Sequence, residues 1–404
     1  MRVLVLNLYY PPDRSATAKM AAAFVEPLAA KHDVTLICGR PSYDPAERRA
    51  WRLWQTERLG AVTVVRVGST DYPRTQMAQR VLNYLSYVAL SIPRALVVPC
   101  DVVLAMTDPP FEGIVGALVA MLKRKPFVYN IRDLYPDMAL GGSIVKPGFL
   151  TRIWEKLHRW ALRRAARVMV LGEDMKVRIA AKGADAARIA IVRDGAAIAP
   201  GTAASPQLDL QVISAIRAEF RFVLLHAGNL GFYGAWETLL AAARELETDG
   251  VGLVFVGDGA QRDRLEAAAA GSANVRFLPF FPSNKIASVL AAGDAHVITI
   301  KRGLEGVVVP SKLYGILAAG KPVVAVAPKQ TDAASLAARD GFGVAADPDN
   351  PAELVAMVRA LLVDPARLAS MGAAARIAAT QFARANECLK FVQVLEQAHH
   401  SPRA

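Results

Sequence analysis

Three short stretches in the second half of the chain hold residue types that suit a phosphate. An apolar run at Phe222–Ala227 leads into Gly228-Asn229-Leu230-Gly231. Another at 253–256 leads into Gly257-Asp258-Gly259. A third turn, Val308-Val309-Pro310-Ser311-Lys312, opens a helical pattern over 313–319, followed by Gly320-Lys321-Pro322 and one more apolar run. Glycine lets phosphate oxygens come close to a backbone, and a helix start offers unpaired N–H groups with a partial positive charge. Ser311 is a helix-capping type, and Lys312 adds a mobile cation at the same spot. Singly, each signal has an ordinary alternative. Gly257-Asp258-Gly259 lacks the third glycine of a dinucleotide fingerprint, because Arg262 stands there, and it reads equally as a plain strand-to-helix turn. Pro310-Ser311-Lys312 also serves as a simple helix start. Three such loops in succession, each tied to a buried strand, point to a nucleotide diphosphate.

Other candidate chemistry is thinner. Asn130-Ile131-Arg132-Asp133-Leu134-Tyr135-Pro136 ends an apolar run in the first half. An Arg132–Asp133 pair there can orient an acceptor hydroxyl or touch a phosphate, or it can be a structural ion pair. None of the six histidines falls in a catalytic or metal pattern, and His226, ending an apolar run, reads as a core residue. The absence of GxSxG argues against a serine hydrolase of that type. Cys38, Cys100 and Cys388 lie far apart with no CxxC spacing, so they read as small buried hydrophobes of a reducing compartment, and no metal is expected.

The elements that must position these residues are legible from periodicity. The 404 residues exceed what one core sustains, so two domains are expected. Near-continuous apolar runs at 3–8, 34–38, 62–67, 102–105, 127–131, 167–171 and 189–192 alternate with helical patterns, the mark of parallel strands buried on both faces. A second series follows at 222–227, 252–256, 275–279, 295–300, 323–327 and 343–346. The predicted organisation is a domain over 1–199, a Pro/Ser/Ala-rich linker over 200–209, a domain over 210–380, and a last helix in 381–404 long enough to cross back. The fold class is α/β, two doubly wound parallel-sheet domains with the ligand cleft between the carboxyl ends of their strands.

The N-terminus, MRVLVLNLYYPPD, lacks a small-residue cleavage site, and no apolar run reaches the ~18 residues of a spanning helix. A cytoplasmic enzyme is expected. The net charge of +12 is concentrated: between Lys146 and Arg193 there are 12 Lys/Arg and 4 Asp/Glu, so this stretch alone carries +8. Within it Leu150, Ile153, Trp154, Leu157, Trp160 and Ala161 share one helical face, and Arg152, Lys156, Arg159 and Arg163 another. A basic amphipathic helix over 150–164 fits an anionic membrane surface, and fits equally a packing helix with a solvated basic face. Nucleic acid is not expected as a partner, because the aromatics lie on the apolar face and no binding module is visible.

The wording of these motifs is familiar. HAGNLG (226–231), VFVGDGAQRDRLE (254–266), NVRFLPFFP (274–282), LAAGDAHVIT (290–299) and VPSKLYGILAAGKPVVA (309–325) resemble the family-four retaining glycosyltransferases, particularly their bacterial surface-polysaccharide branch. LNLYYPPD (6–13), TDPPF (107–111) and NIRDLYPD (130–137) extend the resemblance over nearly the whole chain. It implies a GT-B fold with two Rossmann-like domains and the nucleotide sugar mainly on the second. Gly228, Asn229 and Gly231 would wrap the diphosphate. Gly257, Asp258, Gly259 and the segment around Phe281 would line base and ribose, and Pro310, Ser311 and Lys312 would bind phosphates. Ser15 and Asp108 would lie on the acceptor side with Arg132 and Asp133. The substrate would be a UDP- or GDP-sugar, with no cofactor and no metal, and the acceptor a saccharide, commonly lipid-linked.

The chain also departs from the family's pattern. Asn229 and Gly234 stand where relatives carry Arg and Lys, and Val307 and Gly315 where they carry paired glutamates, with Glu305 close to the first. The cationic role then falls on Lys312, with Lys301 or Arg302 in reserve. Two rival readings stand: a GT-B nucleotide-sugar 2-epimerase, which needs acidic and histidine residues converging on the sugar, and a catalytically silent membrane-associated homologue, which the missing glutamates allow.

Overall fold

A computed structural model describes the chain except Arg14 and residues 42–50, 73–75, 199–207 and 401–404, so most of the expected 200–209 linker lies outside the described residues. The chain divides into two compact units. Unit 1 comprises Met1–Leu140, Val145–Val192 and Glu387–Ala404, and unit 2 comprises Gly141–Ile144 and Arg193–Asn386.

Unit 1 is built on strands β1 (Arg2–Leu6), β2 (Asp33–Cys38), β3 (Trp54–Leu59), β4 (Val62–Val67), β5 (Val102–Ala105), β6 (Phe127–Asn130), β7 (Arg167–Val170) and β8 (Ile189–Ile191), with helices α1 (Ala16–Ala29), α2 (Met77–Val97), α3 (Glu112–Lys123), α4 (Asp137–Gly141), α5 (Phe149–Arg164) and α6 (Glu173–Ala181). The sheet order is β3-β4-β2-β1-β5-β6-β7-β8. All pairings are parallel except β3 with β4. The inner strands are almost wholly buried, as their apolar runs require when helices cover both faces. β3 differs: Gln55, Thr56, Glu57 and Arg58 alternate between half-buried and exposed on the sheet edge, so it lacked the apolar signature that marked the others.

Unit 2 carries α7 (Leu210–Arg217), β9 (Phe222–Ala227), α8 (Trp236–Leu246), β10 (Val251–Val256), α9 (Arg262–Ala268), β11 (Val275–Leu278), α10 (Ile286–Ala292), β12 (Ala295–Thr299), α11 (Lys312–Ala318), β13 (Val323–Val326), α12 (Asp332–Arg339), β14 (Gly343–Ala346), α13 (Pro351–Leu362) and α14 (Pro365–Gln381). Its six strands run parallel in the order β11-β10-β9-β12-β13-β14. Order reverses at β9, which has β10 on one side and β12 on the other. Such a switch point leaves the ends of β9 and β12 open to a ligand at their carboxyl edge. The last helix, α15 (Arg384–His400), sends Cys388, Phe391, Val392 and Leu395 into the core of unit 1 beside Phe24 and Val25 of α1. The expectation of two doubly wound parallel-sheet domains is met.

Candidate functional site: a diphosphate cradle on unit 2

β9 delivers Gly228 to the carboxyl edge with φ of +147°, a conformation that side chains resist. Its N–H donates to the Val256 carbonyl at 2.9 Å. The loop that follows is laced to the loop after β10. The Leu230 N–H donates to the Asp258 carbonyl at 2.8 Å, and the Gln261 N–H donates to the Leu230 carbonyl at 2.9 Å. This closeness depends on Gly257, where a Cβ would overlap the Gly228 carbonyl oxygen. Gly259 likewise abuts Leu230 and Asn229. The first loop is held from behind as well: the Trp236 Nε1–H donates to the Gly231 carbonyl at 2.7 Å, and the Tyr233 hydroxyl to the Asn229 carbonyl at 3.3 Å.

Lys312 reaches into this cradle from the start of α11. Its Nζ lies 2.9 Å from Nε2 and 3.3 Å from Nδ1 of His226, and a Cβ placed on Gly228 would stand only 3.3 Å from it. His226 is fully buried, with Trp236 edge-on at 5.0 Å and Phe255 at 5.9 Å. Burial, and then the Lys312 charge, push its pKa well below the usual value, so it stands neutral and can accept from the ammonium. Lys312 keeps partial exposure, and burial alone pushes its pKa down to about 7. No carboxylate pairs with it among the described residues, and none perturbs it. A cation desolvated this far without an opposite charge is costly, and an incoming anion would relieve that cost.

The neighbouring expectations fare unevenly. Ser311 stands at the N-cap of α11, but its φ/ψ of −61°/−21° is helical and its side chain makes no capping bond. A capping hydroxyl needs extended backbone to reach the next turn's N–H groups, so the expected cap is not formed. Arg302, held in reserve as a cation, is bound at 2.6–2.8 Å to Asp347 and Asp349. Asp258 is exposed and accepts from the Gly259 N–H at 2.7 Å. Phe281 packs against a hydrophobic cluster of unit 2, whereas Phe280, 59% exposed, is the ring next to Gly257. Pro310 accepts from the Leu313 N–H, and Glu305 lies partly buried in the turns between β12 and α11. At Gly315, where the resemblance implied a glutamate, an added Cβ would meet only Leu290 Cδ1, at 3.8 Å.

On unit 1, the loops after β1, β5 and β6 meet at their carboxyl ends. The Asp108 carbonyl accepts from the Leu8 N–H at 2.7 Å, and the Arg132 N–H donates to Thr107 Oγ1 at 2.8 Å. Asp108 and Asp133 both act on the half-buried Tyr135; after desolvation, Asp133 and then Asp108 raise its pKa. Ser15 is buried at the N-cap of α1, where its Oγ accepts from the Ala18 N–H at 3.1 Å. Among the described residues no group of three or more His, Cys, Asp or Glu is placed to hold a metal ion.

Comparison with known proteins decides what family this frame serves. The profile described as "Glycosyl transferase 4-like domain" matches residues 15–195, and "Glycosyl transferases group 1" matches 221–364. The 2-deoxystreptamine glucosyltransferase of Streptomyces kanamyceticus is 31% identical over 66% of this chain and 70% of its own length. The chain belongs to the group 1 glycosyltransferases. A putative colanic acid biosynthesis glycosyl transferase, WcaI of Escherichia coli (strain K12), is 27% identical over 90% of this glycosyltransferase and 93% of itself. Among solved structures, Anabaena Alr3699/HepE in complex with UDP superposes with a TM-score of 0.68 over 98% of this chain and 100% of that one, at 19% identity. That likeness places the glycosyltransferase in the GT-B fold. His226 is fully buried, as expected of a core residue, and it stands at the site as well. Its contact with Lys312 links positions 86 apart, and no motif signals it.

Proposed function

We propose that this glycosyltransferase moves a sugar, with retention, from a UDP- or GDP-sugar to a saccharide acceptor, lipid-linked, during assembly of a bacterial surface polysaccharide. The observation that carries the donor half is the Lys312 ammonium, held 2.9 Å from His226, paired with no carboxylate among the described residues, and facing a glycine-lined loop. In this reading Gly228, Asn229 and Gly231 take the diphosphate, and Lys312 contacts its phosphates beside Pro310 and Ser311. Gly257, Asp258, Gly259 and the ring at 280 or 281 line the nucleoside, and Glu305 serves the sugar side. Arg132, Asp133 and Asp108 act on the acceptor. As the bond from the anomeric carbon to the phosphate oxygen breaks, the electron pair leaves with the diphosphate. A preorganised cation at that oxygen stabilises the charge as it develops.

WcaI's assignment to colanic acid biosynthesis supports the polysaccharide reading, and the UDP and UDP-glucose complexes of HepE support a uridine donor. Placement at the inner face of the membrane draws on α5, which leaves Phe149 and Leu150 exposed beside Arg152 and Lys156. Calorimetry with UDP and GDP tests the donor site. Lys312→Ala is expected to weaken the preferred nucleotide by about tenfold to a hundredfold, the range for loss of a charge-assisted contact. Affinity of the variant for UDP and GDP unchanged from the wild type would remove Lys312 from the site. Retention is read from the anomeric configuration of the product by NMR.

A further inference from the structure

Helix α2 is built inside out. Its buried positions are Asn83, Tyr84, Tyr87, Ser91 and Ala95, and several of these side chains bond inward. The Asn83 Oδ1 accepts from the Thr70 hydroxyl at 2.8 Å and the Tyr72 N–H at 3.0 Å, and the Tyr87 hydroxyl lies 3.1 Å from Glu112 and 3.2 Å from the Ile37 carbonyl. The large residues turned to the outside are Met77, Val81, Leu82, Leu85, Leu96 and Val97, each between 37% and 66% exposed. The other exposed positions of the helix are Ala78, Ala89 and Pro93. No exposed position on α2 is polar or charged, and the helix contains no acidic residue. Its 21 residues make a ridge of about 30 Å. Water-facing helices put their polar side outward, so this ridge requires a cover.

The surroundings say what covers it. α3 packs beside α2 and exposes Met121 and Leu122 at its end, where the Lys123 Nζ donates to the Leu96 carbonyl at 2.8 Å. α5 packs against the other side of α3 and exposes Phe149, Leu150 and Leu157 among Arg152, Lys156 and Arg163. The apolar ridge is therefore uninterrupted along its length and cationic at its margin. A protein interface mixes aromatic anchors with polar groups, whereas a helix lying in a headgroup layer needs an apolar stripe and flanking cations.

We propose that α2 lies in the boundary between headgroups and acyl chains of an anionic bilayer, and that its outer stripe is the inserted part of unit 1. This deepens the membrane placement proposed above and rests on it. No helix among the described residues is long and apolar enough to cross a membrane, so α2 inserts along its side.

The test uses the full chain with Leu85→Cys carrying an environment-sensitive fluorophore; Cys38, Cys100 and Cys388 are buried, so labelling is selective. Vesicles of phosphatidylcholine containing phosphatidylglycerol are expected to shift its emission to the blue, and acyl-chain spin labels to quench it. The same label at Ile377→Cys, on α14 of unit 2, is expected to stay unchanged. A Val81→Asp/Leu85→Asp variant is expected to partition to these vesicles about tenfold less, with UDP affinity, read on unit 2, unaltered. Co-sedimentation with vesicles while the label at 85 remains in water would overturn the insertion of α2 and leave the membrane placement standing. Absence of any co-sedimentation would overturn both. A blue shift without lipid, together with a doubled mass in light scattering, would show a second copy as the cover and overturn the lipid assignment.

Discussion

Lys312 carries a charge that its own fold leaves unmatched. With its pKa pushed down to about 7 by burial, the free enzyme holds this ammonium only in part at neutral pH. A bound diphosphate favours the charged form, so the pKa in the complex is higher than in the free enzyme. Binding therefore takes up a proton in the window between the two values. The sign follows: affinity is full below pH 7 and falls as pH rises, by up to about tenfold per unit until the pKa of the complex is reached. Calorimetry between pH 7 and 9 avoids the nucleotide's own phosphate titration near pH 6. The wild type is expected to lose affinity across this range, and Lys312→Arg to give a flat profile, since a guanidinium stays charged throughout. A sloping profile in the arginine variant would assign the proton to another group.

Elements rather than single residues decide which glycines matter. Gly315 lies within α11 with an ordinary backbone, and an added methyl would meet one leucine at van der Waals distance. Gly315→Ala is expected to stabilise unit 2 by about 0.5–1 kcal/mol through helix propensity. Gly257→Ala is expected to destabilise it, because φ is +148° and the methyl would collide with the Gly228 carbonyl. Urea midpoints of the two variants should move in opposite directions; movement in the same direction would contradict the loop packing. The sequence placed Gly257 in a loop and Gly315 in a helical pattern, but a residue type says nothing of the Gly228 carbonyl that crowds Gly257. What it did show were the buried strands, whose apolar runs at 62–67, 102–105, 222–227 and 343–346 coincide with β4, β5, β9 and β14. Its failures have physical causes. β3 sits on an edge where half its side chains meet water, so its pattern is polar. The Ser311 cap depends on ψ, which residue type alone does not set, and the Lys312–His226 contact arises only when α11 packs at the end of β9.

At the scale of the whole chain, the two units are unequally continuous. Unit 2 draws nearly all of its residues from Arg193–Asn386, whereas unit 1 is completed by the final helix. Phe391 and Leu395 are fully buried in unit 1, and the Phe391 ring meets that of Phe24 of α1 at 5.1 Å with a 41° tilt. Residues of α1 and α15, far apart in sequence, thus share one core, which cannot close without α15. Phe391→Ala removes one ring of this pair and leaves a cavity, a loss of about 3–5 kcal/mol for a buried phenylalanine. That is a large share of the ~5–15 kcal/mol that holds a domain folded. Unit 2 buries its own aromatic cluster around Trp236 and Phe255, to which Phe391 contributes nothing. Hydrogen exchange on the Phe391→Ala chain is therefore expected to lose protection in β1, β5 and β6 while β9, β10 and β12 keep theirs. UDP should still slow exchange in unit 2, since a ligand stabilises by mass action the unit that binds it. An equal loss of protection in both sheets would mean that the units unfold as one, and that the boundary at Val192–Arg193 divides geometry but not stability.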